Sequence, residues 1–102
     1  MNVFWTKFAL NSLSAIYKYY KVNVSLTIAT NIRDGILSST NQLEKHSLSG
    51  QIEVNLLDLE KGHRYIIRGN YKIIYMIQNR NVYVTDVFDT RQNPDKLTYR
   101  NK

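Results

Sequence analysis

Cysteine is absent from this chain, proline occurs once and glycine four times in 102 residues. Without cysteine there is no disulfide staple, no thiolate nucleophile and no cysteine-ligated zinc, which fits a cytoplasmic protein better than a small secreted one. Histidine is almost as scarce: His46 and His63 stand far apart without a carboxylate cluster and make a poor metal site. Neither a metal nor a small-molecule cofactor is expected. No apolar run approaches the roughly 18 residues of a spanning helix, and the N-terminus lacks the basic, apolar, small-residue order of a signal peptide. No membrane partner is expected either.

What remains is a folded unit. At 43% hydrophobic residues with eight tyrosines, residues 1–102 suit one domain with a modest core. The charge is divided unevenly. Residues 1–60 carry five bases against five acids, whereas residues 61–102 carry nine bases against three acids, so the net +6 falls wholly in the C-terminal part. A one-sided basic surface draws polyanions or the acidic segment of a partner protein, or simply keeps the chain soluble.

The residue pattern predicts an α+β domain. "NVFW" (2–5) is β-prone, and Thr6 is placed to cap a helix with Phe8 or Ala9, Leu13, Ile16, Tyr17 and Tyr20 at helical spacing. A second helix starts near Ser25, with Ile28, Ile32, Ile36 and Leu43 on one stripe. Ile28, Ile32 and Ile36 are expected to face the sheet and meet Leu13 and Ile16, with Trp5 closing one end. Gly35 costs this helix about 1 kcal/mol of propensity, which suggests a close neighbour. Residues 51–59 are ambiguous between a strand and an irregular crossing. "HRYIIRGNYKIIYMI" reads as a hairpin with Gly69 first in a two-residue type II′ loop. "NRN" (79–81) makes the next turn and "VYVTDVF" (82–88) the next strand. The expected body is a short N-terminal strand and a helical hairpin packed on one face of a twisted antiparallel sheet of about four strands. The other face is expected to be open and basic, and Tyr65, Tyr71, Tyr75 and Tyr83 to serve as sheet core and cross-strand partners.

The run from Val3 to Tyr20, then "HRYIIRGNYKIIYMI", then "VFDTRQNP", in this order, resembles the RelE/ParE toxin superfamily over nearly the whole chain. The resemblance implies the toxin of a type II toxin–antitoxin module, of the kind that serves plasmid stabilisation and growth inhibition, with a cognate antitoxin as partner. It also implies one of two targets. RelE-like members are ribosome-dependent mRNA endonucleases (mRNA interferases), in which cations stabilise a phosphorane-like transition state without metal. ParE-like members inhibit DNA gyrase by binding.

Under the nuclease reading, Lys72 matches the cation that opens the strand after the hairpin turn, Arg91 the arginine after the last strand and Arg64 the basic position of the first hairpin strand. The family tyrosine would fall on Leu97, so Tyr99 is its nearest substitute, and no histidine lies near the C-terminus. The catalytic set is therefore incomplete. Under a binding reading, Arg68, Lys72, Arg91 and Lys96 contact the partner. Arg91 has a purely local alternative, pairing with Asp89 or Asp86 to order its turn. A strict two-residue loop pairs Ile67 with Lys72 and Arg64 with Tyr75, on opposite faces; a three-residue loop puts Lys72 and Arg64 on one face. The expected function is gyrase inhibition of the ParE type, the alternatives being an mRNA endonuclease and an inactive member that keeps only antitoxin binding. A nuclease would need Lys72 and Arg91 in one groove on the helix-free face.

Overall fold

The computed structural model describes residues 1–101. Strand β1 (Asn2–Trp5) leads directly into helix α1 (Lys7–Asn23), whose first turn is capped by Thr6 Oγ1 accepting from the Ala9 amide at 3.1 Å. Ser25 caps α2 (Leu26–Ser39) in the same way through Ile28. A 3-10 helix (Thr40–Glu44) carries Leu43 into the core, so the apolar stripe beyond Ser39 is not α-helical. The ambiguous stretch resolves into a two-residue strand β2 (Gln51–Ile52) and a second 3-10 helix (Val54–Leu59). Strands β3 (Arg64–Arg68), β4 (Tyr71–Gln78) and β5 (Asn81–Asp89) follow, then a short helix α3 (Asp95–Arg100) that the periodicity did not announce.

The sheet has five strands, in the order β1-β5-β4-β3-β2, and β1 runs parallel to β5. It is therefore mixed, with one strand more than the pattern predicts; β1 adds alongside β5 because its chain leaves the sheet at once into α1. The β3–β4 loop is the expected two residues: Gly69 has φ 58°, Asn70 is not left-handed, and Arg68 pairs with Tyr71. In the β4–β5 turn both Asn79 and Arg80 take positive φ, the type I′ geometry that matches strand twist.

Two cores result. On one face α1 and α2 bury Ala9, Leu13 and Ile36 against Ile66, Tyr71, Ile73, Tyr75, Val82, Val84 and Val87, with Trp5, Ile16 and Ile32 packed at the margin. Ile28 departs from the expected stripe: it is 42% exposed, because α2 is rolled so that Ala29, Ile32 and Ile36 form the inward row. The opposite face is not open. The second 3-10 helix and α3 cover it with Leu56 and Leu97, which bury Ile74 and Phe88. Tyr71 and Tyr75 are core as expected, Tyr65 lies at the edge of the second core, and Tyr83 stacks on Phe4 at 5.7 Å.

A bulge between Ile74 and Tyr75 decides which side chains share a face. Val82 and Val84 point to the helices; beyond the extra residue, so do Val87 and Asp89, opposite Ile73 and Tyr71. Phe88 is thereby turned to the second face, opposite Lys72. Among the described residues no helix is long and apolar enough to cross a membrane.

Candidate functional site

The loop after β5 is built by its own polar side chains. Asp89 Oδ1 accepts from the Arg91 amide at 2.9 Å, and the same carboxylate takes the Arg91 guanidinium side-on, Nε to Oδ1 at 2.9 Å and Nη2 to Oδ2 at 2.8 Å. Thr90 donates to the Asn70 carbonyl through both its amide (2.8 Å) and its hydroxyl (2.9 Å), which ties the loop to the β3–β4 turn. Asn93 Oδ1 accepts from the Asp95 amide, and Pro94 leads into α3. Arg91 is thus held by Asp89, the local pairing that the residue spacing allows.

Around Arg91 lies an open groove of about 780 Å³ between α1 and the end of β5, walled by Phe8, Tyr19, Tyr20 and Val24 on one side and Tyr71 and Val87 on the other. The Tyr71 hydroxyl donates to the Tyr20 oxygen at 3.2 Å. That bond, with Arg91 close by, lowers the Tyr20 pKa, while burial and the same bond push Tyr71 up, so Tyr20 is the phenol that gives up its proton first. Arg100 closes the far end of the groove. Its guanidinium donates to Asp86 (Nε to Oδ2 3.0 Å, Nη2 to Oδ1 2.8 Å) and to Ser12 Oγ at 3.0 Å, and it lies over the rings of Phe8 and Phe88. Asp86 is wholly buried, also accepts from Ser12 Oγ and Asn101, and caps the Val87 amide.

Arg68 belongs to the same end of the sheet. It pairs with Tyr71, which pairs with Asp89, so Arg68 and the Arg91 anchor lie two strand spacings apart, about 10 Å, on the helix side. Its guanidinium crosses α2 at Gly35: a Cβ there would meet Arg68 Nη2 at 2.8 Å. The close neighbour implied by Gly35 is this arginine.

The other expected site residues lie elsewhere. Lys72 points to the second face, where Nζ donates to Glu53 Oε2 at 2.8 Å and sits 4.3 Å from the Tyr65 ring centre. The Glu53 side chain is fully buried and also accepts from the Asn55 amide and side chain. Burial raises the Glu53 pKa, but the bonds from Lys72 and Asn55 outweigh it and the net direction is down. Lys72 therefore fastens the second 3-10 helix to the sheet. Arg64 stands four residues from Arg68, about 13 Å along β3, and donates to the Gly50 carbonyl at 2.8 Å. It faces the helices and Lys72 does not, as the two-residue loop requires. Lys96 and Tyr99 are exposed on α3. A groove on a helix-free face shared by Lys72 and Arg91 does not exist, because the bulge turns the Arg91 end of β5 to the helix side and the second face is covered.

Residue patterns did not reveal Glu53, the Tyr20–Tyr71 pair or the Asp86–Arg100–Ser12 network. Only Glu53 left a trace, as an acidic residue before the apolar run "VNLLDL" where a cap belongs.

Comparison with curated proteins finds no match. Among solved structures, the chromosomal ParDE TA system from P. aeruginosa matches with a TM-score of 0.72 and 20% identity, over 87% of this chain and 95% of that one. At that identity the likeness speaks for the fold. The family model for the ParE toxin of the type II toxin–antitoxin system parDE matches residues 3–94. That span contains the capped helical hairpin, the β3–β4–β5 meander and the Arg91 loop, and the chain belongs to the ParE toxin family.

Proposed function

We propose that this toxin arrests growth by binding DNA gyrase and not by cutting RNA. The observation that carries the reading is the separation of Lys72 and Arg91 on opposite faces, with Lys72 already committed to a buried carboxylate. Metal-free cleavage of RNA needs cations converging on one phosphorane, and Lys72 and Arg91 do not converge, while Arg100 is already held by buried Asp86. Membership of the parDE family supports the same conclusion. The test compares two assays with purified toxin: gyrase supercoiling, which should be inhibited, and cleavage of mRNA on ribosomes, which should be absent. In cells, DNA-damage signalling should rise before translation stops. Ribosome-dependent cleavage by the wild type would overturn the proposal, and inertness in every assay would leave an inactive member that only binds antitoxin.

The partner that silences the toxin is, in this reading, a cognate antitoxin with an acidic, amphipathic segment that is disordered until bound. The groove beside α1 supports this assignment: Phe8, Tyr19 and Val24 offer exposed apolar surface and Arg91 a mostly exposed guanidinium. Failure of the product of the adjacent antitoxin gene to form a complex at micromolar concentration would rule it out.

A further inference from the structure

We propose that Asp89 is an internal stand-in for a partner carboxylate: it occupies the Arg91 guanidinium in the free toxin and is exchanged for an acidic side chain of the antitoxin's docking segment. This rests on the antitoxin reading above and goes beyond it by naming what the partner must displace.

The two arginines of the groove differ in kind. Arg100 is held on a carboxylate that is wholly buried, with Ser12 and Asn101 on the same carboxylate, so withdrawing it would leave Asp86 charged and without its cation inside the protein. Arg91 is held on a carboxylate that is only half-buried: the paired side chains are 57% and 21% exposed. Asp89 would still accept from the Arg91 amide after the exchange, so its charge is not left without a partner and the exchange is inexpensive. The bidentate geometry on Arg91 is the one that an aspartate or glutamate of a partner would use.

The mask also selects the occupant. With Asp89 in place the Arg91 corner is close to neutral, and a polyanion that offers charge alone gains little by competing. A peptide that brings a carboxylate together with apolar side chains gains from Phe8 (44% exposed), Tyr19 (59%) and Val24 (53%) as well. Discrimination then comes from a built-in competitor and not from attraction alone.

The test is binding of the adjacent gene's antitoxin to full-length toxin variants by titration calorimetry, at low and at physiological salt. Asp89→Asn keeps an acceptor for the Arg91 amide but removes the charge, and should tighten binding about three- to fivefold at low salt, the range of an exposed ion pair. Asp89→Ser serves the same purpose if the asparagine variant folds poorly. Arg91→Ala should weaken binding, and in the Arg91→Ala background Asp89→Asn should have no effect. Weaker or unchanged binding of folded Asp89→Asn overturns the proposal. So does tightening that persists without Arg91, which would reveal general repulsion in place of unmasking. Absence of binding by wild-type toxin would remove the antitoxin reading itself and this inference with it.

Discussion

Lys72 and Arg91 are both cations near the hairpin end of the sheet, yet their removal should have opposite consequences. Lys72→Ala strands the fully buried Glu53 carboxylate, and breaking a buried pair from one side costs about 3 kcal/mol. Its melting temperature should fall by several degrees. Arg91→Ala removes an exposed side chain and should leave the melting temperature almost unchanged while weakening partner binding. If Arg91 were only the clasp of its turn, the Arg91→Ala melting temperature would fall too, and partner binding would drop only in proportion to the folded fraction.

His63 belongs to the same scale. It is 5% exposed with Nδ1 lacking a hydrogen-bond partner, and burial, reinforced by Lys61, pushes its pKa below the ordinary 6.5, against a smaller opposing pull from Glu53. Above pH 6.5 the imidazole is neutral folded or unfolded and contributes no pH dependence. Below it the unfolded chain takes up the proton first, so stability declines as pH falls from 6.5 toward the depressed folded value. The Glu53 and Asp89 carboxyls are held down in the fold, so their contribution is present above 4.5 and 3.8, their ordinary values, and is lost at lower pH still. Urea midpoints between pH 8 and 3 should fall in two stages. His63→Leu should flatten the first stage alone.

At the scale of elements, α3 and α2 show how little of a segment's position is its own doing. Six residues do not hold a helix in water, so α3 stays in place through Leu97, the Asp86–Arg100 pair and the Thr98 hydroxyl on the Asn55 carbonyl. Leu97→Ala should cost about 2 to 5 kcal/mol and expose Phe88, detectable as dye binding before the main unfolding transition. Gly35→Ala is predicted to act in the other direction. It gains about 1 kcal/mol of helix propensity, and the atoms that its Cβ would meet are the far end of a flexible arginine, which can move aside. Stability should rise slightly while antitoxin affinity falls, because Arg68 loses its seat.

Over the whole molecule, the described bases of residues 61–101 are divided between the two faces of the sheet, and several are already paired. Lys72 and Arg100 are bound to buried acids and Arg91 is held by Asp89. Arg68 lies at the hairpin tip on the helix side, Arg80 in the turn at the other end of β4, and Lys96 on α3 across the sheet. Phosphate-driven binding needs several cations acting together and weakens steeply with salt. Toxin without partners should therefore show no measurable affinity for single-stranded RNA at micromolar concentration in physiological salt, read by fluorescence anisotropy. Tight binding there would revive the RNA-directed alternative.

The local features were written in the sequence. Thr6 and Ser25 start helices through their own hydroxyls, Gly69 permits the two-residue loop, and that loop sets the β3–β4 register, including the opposed faces of Arg64 and Lys72. These depend on residues within a few positions of one another. What only the tertiary structure decided begins at the bulge in β5. Alternation counted from Val82 and Val84 would put Phe88 toward the helices and Asp89 on the opposite face, with Lys72; the extra residue at Thr85 reverses both. Period-two patterning cannot announce where a strand gains a residue, since the gain is stabilised by distant groups, here Asp86 satisfied by Ser12 of α1 and Arg100 of α3. The covered second face has the same origin. Leu56 and Leu97 reach it from segments too short to carry a periodic signal, and their burial depends on a sheet that had to exist first.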